Sequence, residues 1–370
     1  MKFVVQVRLF PEPAQEAALA DTLRLCNEAA NLVSRIAWET KVFRNYDLRL
    51  HAYGELKNMG LSAQPAQHVI KKVADAYVTV KAQVKAKLRK PLAKPIGFRT
   101  DAAQPFDDRC LSWQVEERTV SIWTTGGRMK GVRFGCSEKQ ATALAAYRKG
   151  ESDLVHRDGM WLLIATCDVP DTDVTEPDGF LGVDLGIANI ATTDDGKRYS
   201  GKHLNAVRHR DRELRRRLRA KQTKSAKRLL KARRRKESRF ARDVNHVISK
   251  SIVTEAERTG RGVALEDLSG IRDRVRLRKP QRVTLHSWSF HQLGRFVAYK
   301  AARAGVAVIY VDPAYTSQGC SACGHIDKRN RPSQETFACT SCGFAEHADV
   351  NAARNIAKRG VAGWAVSHAA

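Results

Sequence analysis

The chain has 370 residues, 43% of them hydrophobic, enough for at least one sizeable core and roughly two to four structural units. Its 65 Lys and Arg against 39 Asp and Glu leave a formal charge of +26, far beyond what solubility requires, so a polyanion is the expected partner. No apolar run approaches the ~18–20 residues of a membrane span, the amino terminus lacks a signal-peptide core, and no basic amphipathic stretch carries a bulky apolar face; nucleic acid in the cytoplasm is therefore expected, and no membrane.

Phe3, Val5, Val7 and Leu9 alternate as one face of a strand that Pro11 and Pro13 end. Leu19, Leu23, Cys26, Ala30, Val33 and Ala37 then step by three and four, which predicts a helix with one apolar stripe. A second stripe runs through Val69, Val73, Tyr77, Val80, Val84 and Leu88, ringed by Lys71, Lys72, Lys81, Lys85 and Lys87. Between Cys110 and Val169 the pattern turns to short β-rich runs, among them Thr119 to Thr125 and Trp161 to Val169. The first strand is expected to join them, with the helical unit as an insertion in a β-barrel or sandwich.

A polar linker at 171–178 leads into an α/β core: a strand at Leu181 to Asp184, then a hairpin from Ile190 to Ser200 turning at Asp194-Asp195-Gly196. From Arg208 to Arg242 there are 18 Lys or Arg against three acids, with leucines only at 214, 218, 229 and 230. Such a stretch buries too little apolar area to hold helices alone, so a helical hairpin broken near Gln222 to Ser225 and supported by tertiary or nucleic-acid contact is expected. Phe240, Val244, Val247, Ile248 and Ile252 give its later part a core face.

Three acids sit where strands or helices end. Asp184 closes Gly182-Val183-Asp184-Leu185-Gly186, whose glycines would let the backbone approach a ligand; Glu266 closes Val263-Ala264-Leu265-Glu266; Asp349 stands at the start of the final helix. Each alone reads as a cap or turn residue. Brought to one end of an α/β fold, they would instead hold two Mg²⁺ or Mn²⁺ ions for phosphodiester hydrolysis, hard oxygen donors suiting those ions. Asp267, next to Glu266, should point the other way and is assigned no metal.

Cys26, Cys110, Cys136 and Cys167 are scattered and read as small buried hydrophobes. Cys320-x2-Cys323 and Cys339-x2-Cys342 are instead two thiolate knuckles able to close one tetrahedral Zn²⁺. Four thiolates leave no open position, so this zinc is expected to be structural. His325 and His347 are not needed as ligands, and Lys328, Arg329 and Arg331 are candidates to touch nucleic acid.

Together Gly182 to Gly186, Leu265-Glu266-Asp267-Leu268, Asp312-Pro313-Ala314-Tyr315-Thr316-Ser317-Gln318 running into the first knuckle, and Asp349-Val350-Asn351-Ala352-Ala353-Arg354-Asn355-Ile356 resemble the TnpB family. These are transposon-encoded RNA-guided nucleases related to the type V CRISPR effectors. The resemblance covers roughly Gly182 to Ile356; the N-terminal half matches only in layout, and Ala348 stands where many relatives have a polar residue.

The resemblance implies a multidomain α+β protein: a β-barrel wedge domain (1–12 and 101–175) with a helical recognition insertion (13–100), and an RNase H-like RuvC domain (176–312 and 347–370) holding a zinc ribbon at 313–346. Within the RuvC part lie basic helices at 205–258 and a lid at 271–286. It also carries the metal-ligand roles onto Asp184, Glu266 and Asp349, and implies a guide RNA, a DNA target read beside a short adjacent motif, and a monomer in the RNA complex. Alternatives are a miniature CRISPR effector with a repeat-derived guide, a non-cleaving repressor, a DDE transposase, whose acids run in another order, and a non-enzymatic zinc-ribbon binder.

Overall fold

The computed structural model describes residues 2–170, 172–233, 235–268 and 290–367. It divides into two compact units, Met1–Pro170 and Asp171–Ala370. The expected lid at 271–286 lies outside the described residues. Among those described, no helix is long and apolar enough to cross a membrane.

The first unit contains β1 (Lys2–Phe10), α1 (Pro13–Thr40), α2 (Asn45–Asn58), α3 (Ala63–Lys85), β2 (Gln104–Phe106), β3 (Leu111–Gln114), β4 (Thr119–Thr124), β5 (Gly127–Gly135), α4 (Glu138–Tyr147), β6 (Arg148–Arg157) and β7 (Met160–Asp168). Its strands form a seven-stranded sheet in the order β2-β6-β7-β1-β5-β4-β3. The first strand does join the later ones: β1 is antiparallel to both β7 and β5, and Val5, Val7 and Leu9 turn inward every second residue. The two edge strands, β2 and β3, are linked by residues 107–110 alone, and Phe106, Cys110 and Leu111 enter the same core. The sheet is therefore nearly closed on itself, with one seam between β2 and β3.

The stripe on α1 serves two cores. Leu19 and Leu23 pack into the sheet, each such burial being worth about 1.5–3 kcal/mol, while Cys26, Ala30, Val33 and Ala37 pack against Val69, Val73 and Tyr77 of α3. The second stripe is shorter than its periodicity implied, because α3 ends at Lys85 and Leu88 beyond it is 80% exposed. Two helices escaped the sequence reading. Leu48, Ala52 and Leu56 seat α2, and α4 opens on a capping box in which Gln140 N donates to Ser137 Oγ (3.3 Å) and Ser137 N to Gln140 Oε1 (2.9 Å).

The second unit contains β8 (Phe180–Asp184), β9 (Asn189–Thr193), β10 (Arg198–Ser200), α5 (Lys202–Lys221), α6 (Lys224–Arg233), α7 (Lys236–Arg258), β11 (Gly262–Glu266), α8 (Phe290–Ala304), β12 (Val308–Val311), β13 (Thr336–Ala338), β14 (Ala345–His347) and α9 (Ala348–Ser367). Five strands order as β10-β9-β8-β11-β12, with β8, β11 and β12 parallel and β9 and β10 the expected antiparallel hairpin. Leu181, Val183, Val263 and Leu265 face a core shared with α7 and α8. Residues of opposite parity, Phe180, Ala264, Ile309 and Val311, face Ile356 of α9.

Absent side chains at Gly182 and Gly360 let α9 lie flat on that second face, and one at Gly262 leaves room for the Phe180 ring there. A Cβ on Gly182 would meet Ala353 O at 2.0 Å and Ala357 N at 2.6 Å, one on Gly262 would meet Phe180 at 2.5 Å, and one on Gly360 would meet the Ala264 Cβ at 2.7 Å. Gly182 thus admits a helix backbone, which corrects the expectation that it clears space for a ligand. On α7, Ile248 and Ile252 are buried and Phe240 and Val244 pack against them, but Val247 is 63% exposed and not part of the core face.

Candidate active site

Strand parity and helix packing decide where the three acids go. Val183 pairs with Leu265 across the parallel strands, so Asp184 and Glu266 follow as neighbours at the same strand ends. Sharing parity with Gly182 and Ala264, both acids lie on the face that α9 covers. Asp349 is the second residue of α9. The structure therefore brings all three to the carboxyl ends of parallel strands, where open α/β sheets bind ligands.

Electrostatics records their proximity. Burial first, then the charges of Glu266 and Asp349, push the Asp184 carboxyl well above the usual carboxylate range, and Arg331 opposes the rise. Burial also raises Glu266, against hydrogen bonding from the Thr316 hydroxyl and the charge of Arg359. Asp349 Oδ2 accepts from Asn189 Nδ2 at 2.9 Å, and its Oδ1 lies 3.3 Å from Arg331 Nη2 in a half-buried ion pair. The ribbon thus reaches into the acid cluster. Neighbouring Asp267 acts instead on the Tyr310 hydroxyl, on the other side of the strand.

Sequence reasoning took Arg331 as a candidate to touch nucleic acid rather than as a partner of Asp349, and it missed Thr316 and Asn189 as partners of Glu266 and Asp349. It also missed Asn351 and Asn355. Asn351 donates to Gly319 O (2.8 Å) and accepts from Ser321 N (2.9 Å), while Asn355 donates to Thr316 O (2.9 Å) and Gly319 O (2.7 Å). Two asparagines four residues apart, and so on one face of the helix, are the signal that could have found this clamp. Ala348 is buried against Cys320, Phe337 and Cys339, which accounts for its apolar side chain.

Among the described residues, two groups of three or more potential ligands have donor atoms all within 4.8 Å of one another: the four ribbon cysteines, and His68, Asp107 and Cys110. In the ribbon, Cys320 and Cys342 sulfurs lie 3.7 Å apart, as do those of Cys323 and Cys339. That matches the edge of about 3.8 Å of a tetrahedron with Zn–S near 2.3 Å. Gly324 and Gly343 turn each knuckle at φ of 78° and 73°. The acid trio is not one of these groups, so its three donor atoms do not all lie within 4.8 Å of one another.

The basic run folds as expected into α5 and α6, broken at Gln222 in the left-handed region (φ 51°). Part of its charge is turned inward. Arg215 pairs with Asp211 (2.7 Å) and Glu237 (3.3 Å), Arg208 with Glu237 (3.7 Å) and Arg233 with Asp211 (3.8 Å). The scattered cysteines divide: Cys26, Cys110 and Cys167 are buried, whereas Cys136 is half-buried.

Residues 165–269 match the family described as "Probable transposase", and residues 290–356 the "Cas12f1-like, TNB domain". The CRISPR-associated endodeoxyribonuclease Cas12f1 of Sulfoacidibacillus thermotolerans is 37% identical over 232 residues, 57% of this chain and 53% of that protein. TnpB-like protein MJ0751 of Methanocaldococcus jannaschii is 35% identical over 125 residues, 34% of this chain and 44% of the relative. The chain thus spans about half the length of these curated relatives. The solved structure of the mini-RNA-guided endonuclease CRISPR-Cas_phi3 covers 98% of this chain and is itself covered over 92%, with a TM-score of 0.54 and 13% identity, a likeness of multidomain α+β fold. Through residues 165–356 the chain is similar to the TnpB-like proteins and to the Cas12f endodeoxyribonucleases.

Proposed function

We propose that the protein is an RNA-guided DNA endonuclease of the TnpB type, cutting by metal-dependent phosphodiester hydrolysis at Asp184, Glu266 and Asp349. The observation that carries this reading is the gathering of three acids, at positions 184, 266 and 349, in a buried place: burial and then the charges of Glu266 and Asp349 raise Asp184, and Arg331 and Arg359 offset the cluster only in part. Carboxylates so arranged gain most from divalent cations.

Their donor set fits two Mg²⁺ or Mn²⁺ ions, which when bound would activate water and offset charge on the leaving oxygen. The chain's own residues do the positioning. Thr316 holds Glu266 and Asn189 holds Asp349, so neither carboxylate is free to swing. Cys320, Cys323, Cys339 and Cys342 fit one structural Zn²⁺, and the fold they make carries Arg331 to the acids. The names of the relatives, a CRISPR-associated endodeoxyribonuclease and a TnpB-like protein, support the same chemistry.

The domain reading follows. The nearly closed sheet serves as a wedge domain over 1–12 and 101–175, helices within 13–100 as recognition insertion, residues 176–312 and 347–370 as RuvC domain and 313–346 as ribbon. Basic helices α5 to α7 follow the phosphate backbones of guide RNA and target DNA. A miniature CRISPR effector is the second reading, favoured by the 37% identity to a Cas12f1.

The test is to purify the protein, sequence the RNA that accompanies it, and supply DNA matching that guide. Cleavage only with Mg²⁺ or Mn²⁺, lost on the order of 10³-fold or more in Asp184→Ala with binding kept, is expected. Random cellular fragments in place of a discrete RNA would remove the guide, and cutting by Asp184→Ala near the wild-type rate would remove the site. A repeat-derived rather than transposon-end RNA selects the second reading.

A further inference from the structure

The seam of the seven-stranded sheet holds a cluster that the proposed nuclease chemistry does not use. His68 from α3 meets Asp107 and Cys110 of the short link between β2 and β3, with one donor atom from each lying within 4.8 Å of the others. His68 is 5% exposed and Cys110 3%. His68 Nε2 stands 3.4 Å from Asp107 Oδ2. That is long for an N–H···O hydrogen bond, typically about 2.9 Å. It equals the span of about 3.3–3.5 Å between two ligands of a tetrahedral ion at Zn–N and Zn–O distances near 2.0–2.2 Å.

The other ring nitrogen, His68 Nδ1, is buried without a hydrogen-bond partner, so no hydrogen bond on that side competes with Nε2 in setting the ring's orientation. Asp107 is already oriented. Its Oδ1 accepts from the Arg109 and Cys110 amides at 3.1 and 3.3 Å, and its Oδ2 accepts from Gln64 Nε2 at 2.9 Å, with Arg109 Nε 3.5 Å away.

We propose that His68, Asp107 and Cys110 bind a metal ion of the zinc class, its fourth position left to water, fastening α3 across the open seam of the sheet. The donor set selects the metal: one imidazole, one thiolate and one carboxylate suit Zn²⁺, whereas Mg²⁺ takes oxygens. The place gives it a purpose. Edges β2 and β3 are the only neighbours around this sheet not joined by strand pairing, and the link between them carries two of the three ligands.

Protonation favours the imidazole as a ligand and requires the ion to displace the thiol proton. Burial lowers the His68 imidazole, which keeps it neutral and able to ligate, and holds Cys110 as a thiol, pushed up to about 11. On binding, the S–H proton leaves to solvent and a sulfur–metal bond forms, so uptake releases one proton at this thiol.

The test uses the full chain, loaded with Zn²⁺ in a large excess of Mg²⁺ that keeps the acid trio supplied with a hard cation, then dialysed and measured for zinc by mass spectrometry. Cys110→Ser and His68→Asn are each expected to carry one zinc fewer per chain than wild type. Equal zinc contents would overturn the proposal. Because a variant could misfold, the wild-type protein loaded with Co²⁺ supplies a second reading: its thiolate-to-metal absorption should account for five sulfur ligands. An intensity accounting for the four ribbon cysteines alone overturns it without any substitution.

Discussion

The ribbon draws its four sulfurs from two knuckles separated by fifteen residues, and each knuckle is shaped by its own glycine turn. The acids stand at positions 184, 266 and 349, and nothing local shapes their cluster; strand register aligns two of them and the packing of α9 delivers the third. Ligands gathered by turns depend on the metal that closes them, because so short a segment has little core of its own. Ligands gathered by packing depend on how closely backbones approach. The same class of site can therefore fail in two ways.

Breaking the ribbon should have the largest effect. Structural zinc contributes an apparent ~10–16 kcal/mol in small domains, so Cys339→Ser is expected to lose one zinc per chain, disorder the ribbon, free Arg331 from Asp349 and abolish cleavage. Zinc analysis beside a cleavage assay checks this, and a zinc-free variant that still cuts would separate the two regions. Gly182→Ala attacks the other region. Its methyl cannot coexist with the Ala353 carbonyl, so α9 must shift, at about 1–3 kcal/mol and roughly 2–4 °C per kcal/mol in melting temperature. Zinc content should stay unchanged while cleavage falls, and an unaltered melt would show that α9 is not the acids' scaffold.

Arg331→Ala cuts the ion pair that joins the ribbon to Asp349. Since Arg331 opposes the rise of Asp184, its removal should move the acid limb of the cleavage pH profile upward by less than about one unit. A profile that does not move would make that ion pair incidental. Asp184→Asn gives the smallest effect, on the metal-free protein. The folded carboxyl titrates above its unfolded value of about 3.9, so wild-type stability falls as pH rises between the two values. In chelator near pH 8 the asparagine variant should melt a few degrees higher, and the gain should vanish as pH approaches the unfolded value; no gain at pH 8 would contradict the raised carboxyl.

How legible these features were follows the same division. The knuckles, the apolar strands ending in acid and the basic hairpin could all be read, because each is a pattern within a few residues. Gly182 could not, since its neighbour Ala353 lies on another element and only the close approach of α9 tells why a side chain is excluded. Thr316 and Asn189 are ordinary polar residues until folding sets them against Glu266 and Asp349. Leu88 and Val247 failed differently: both keep helical period, yet one lies past the last turn and the other on the solvent side, and periodicity alone reports neither.

The inward arginines of the basic hairpin have a consequence for the order of events in assembly. Asp211 and Glu237 already engage Arg208, Arg215 and Arg233, so α5, α6 and the start of α7 are tied to one another by the protein's own charges. A polyanion arriving at the outer face meets helices that are preorganised, rather than a coil that must be ordered at the moment of contact. Less of the binding free energy is then spent on freezing the backbone, and the two acids, occupied within, do not compete with the incoming phosphates.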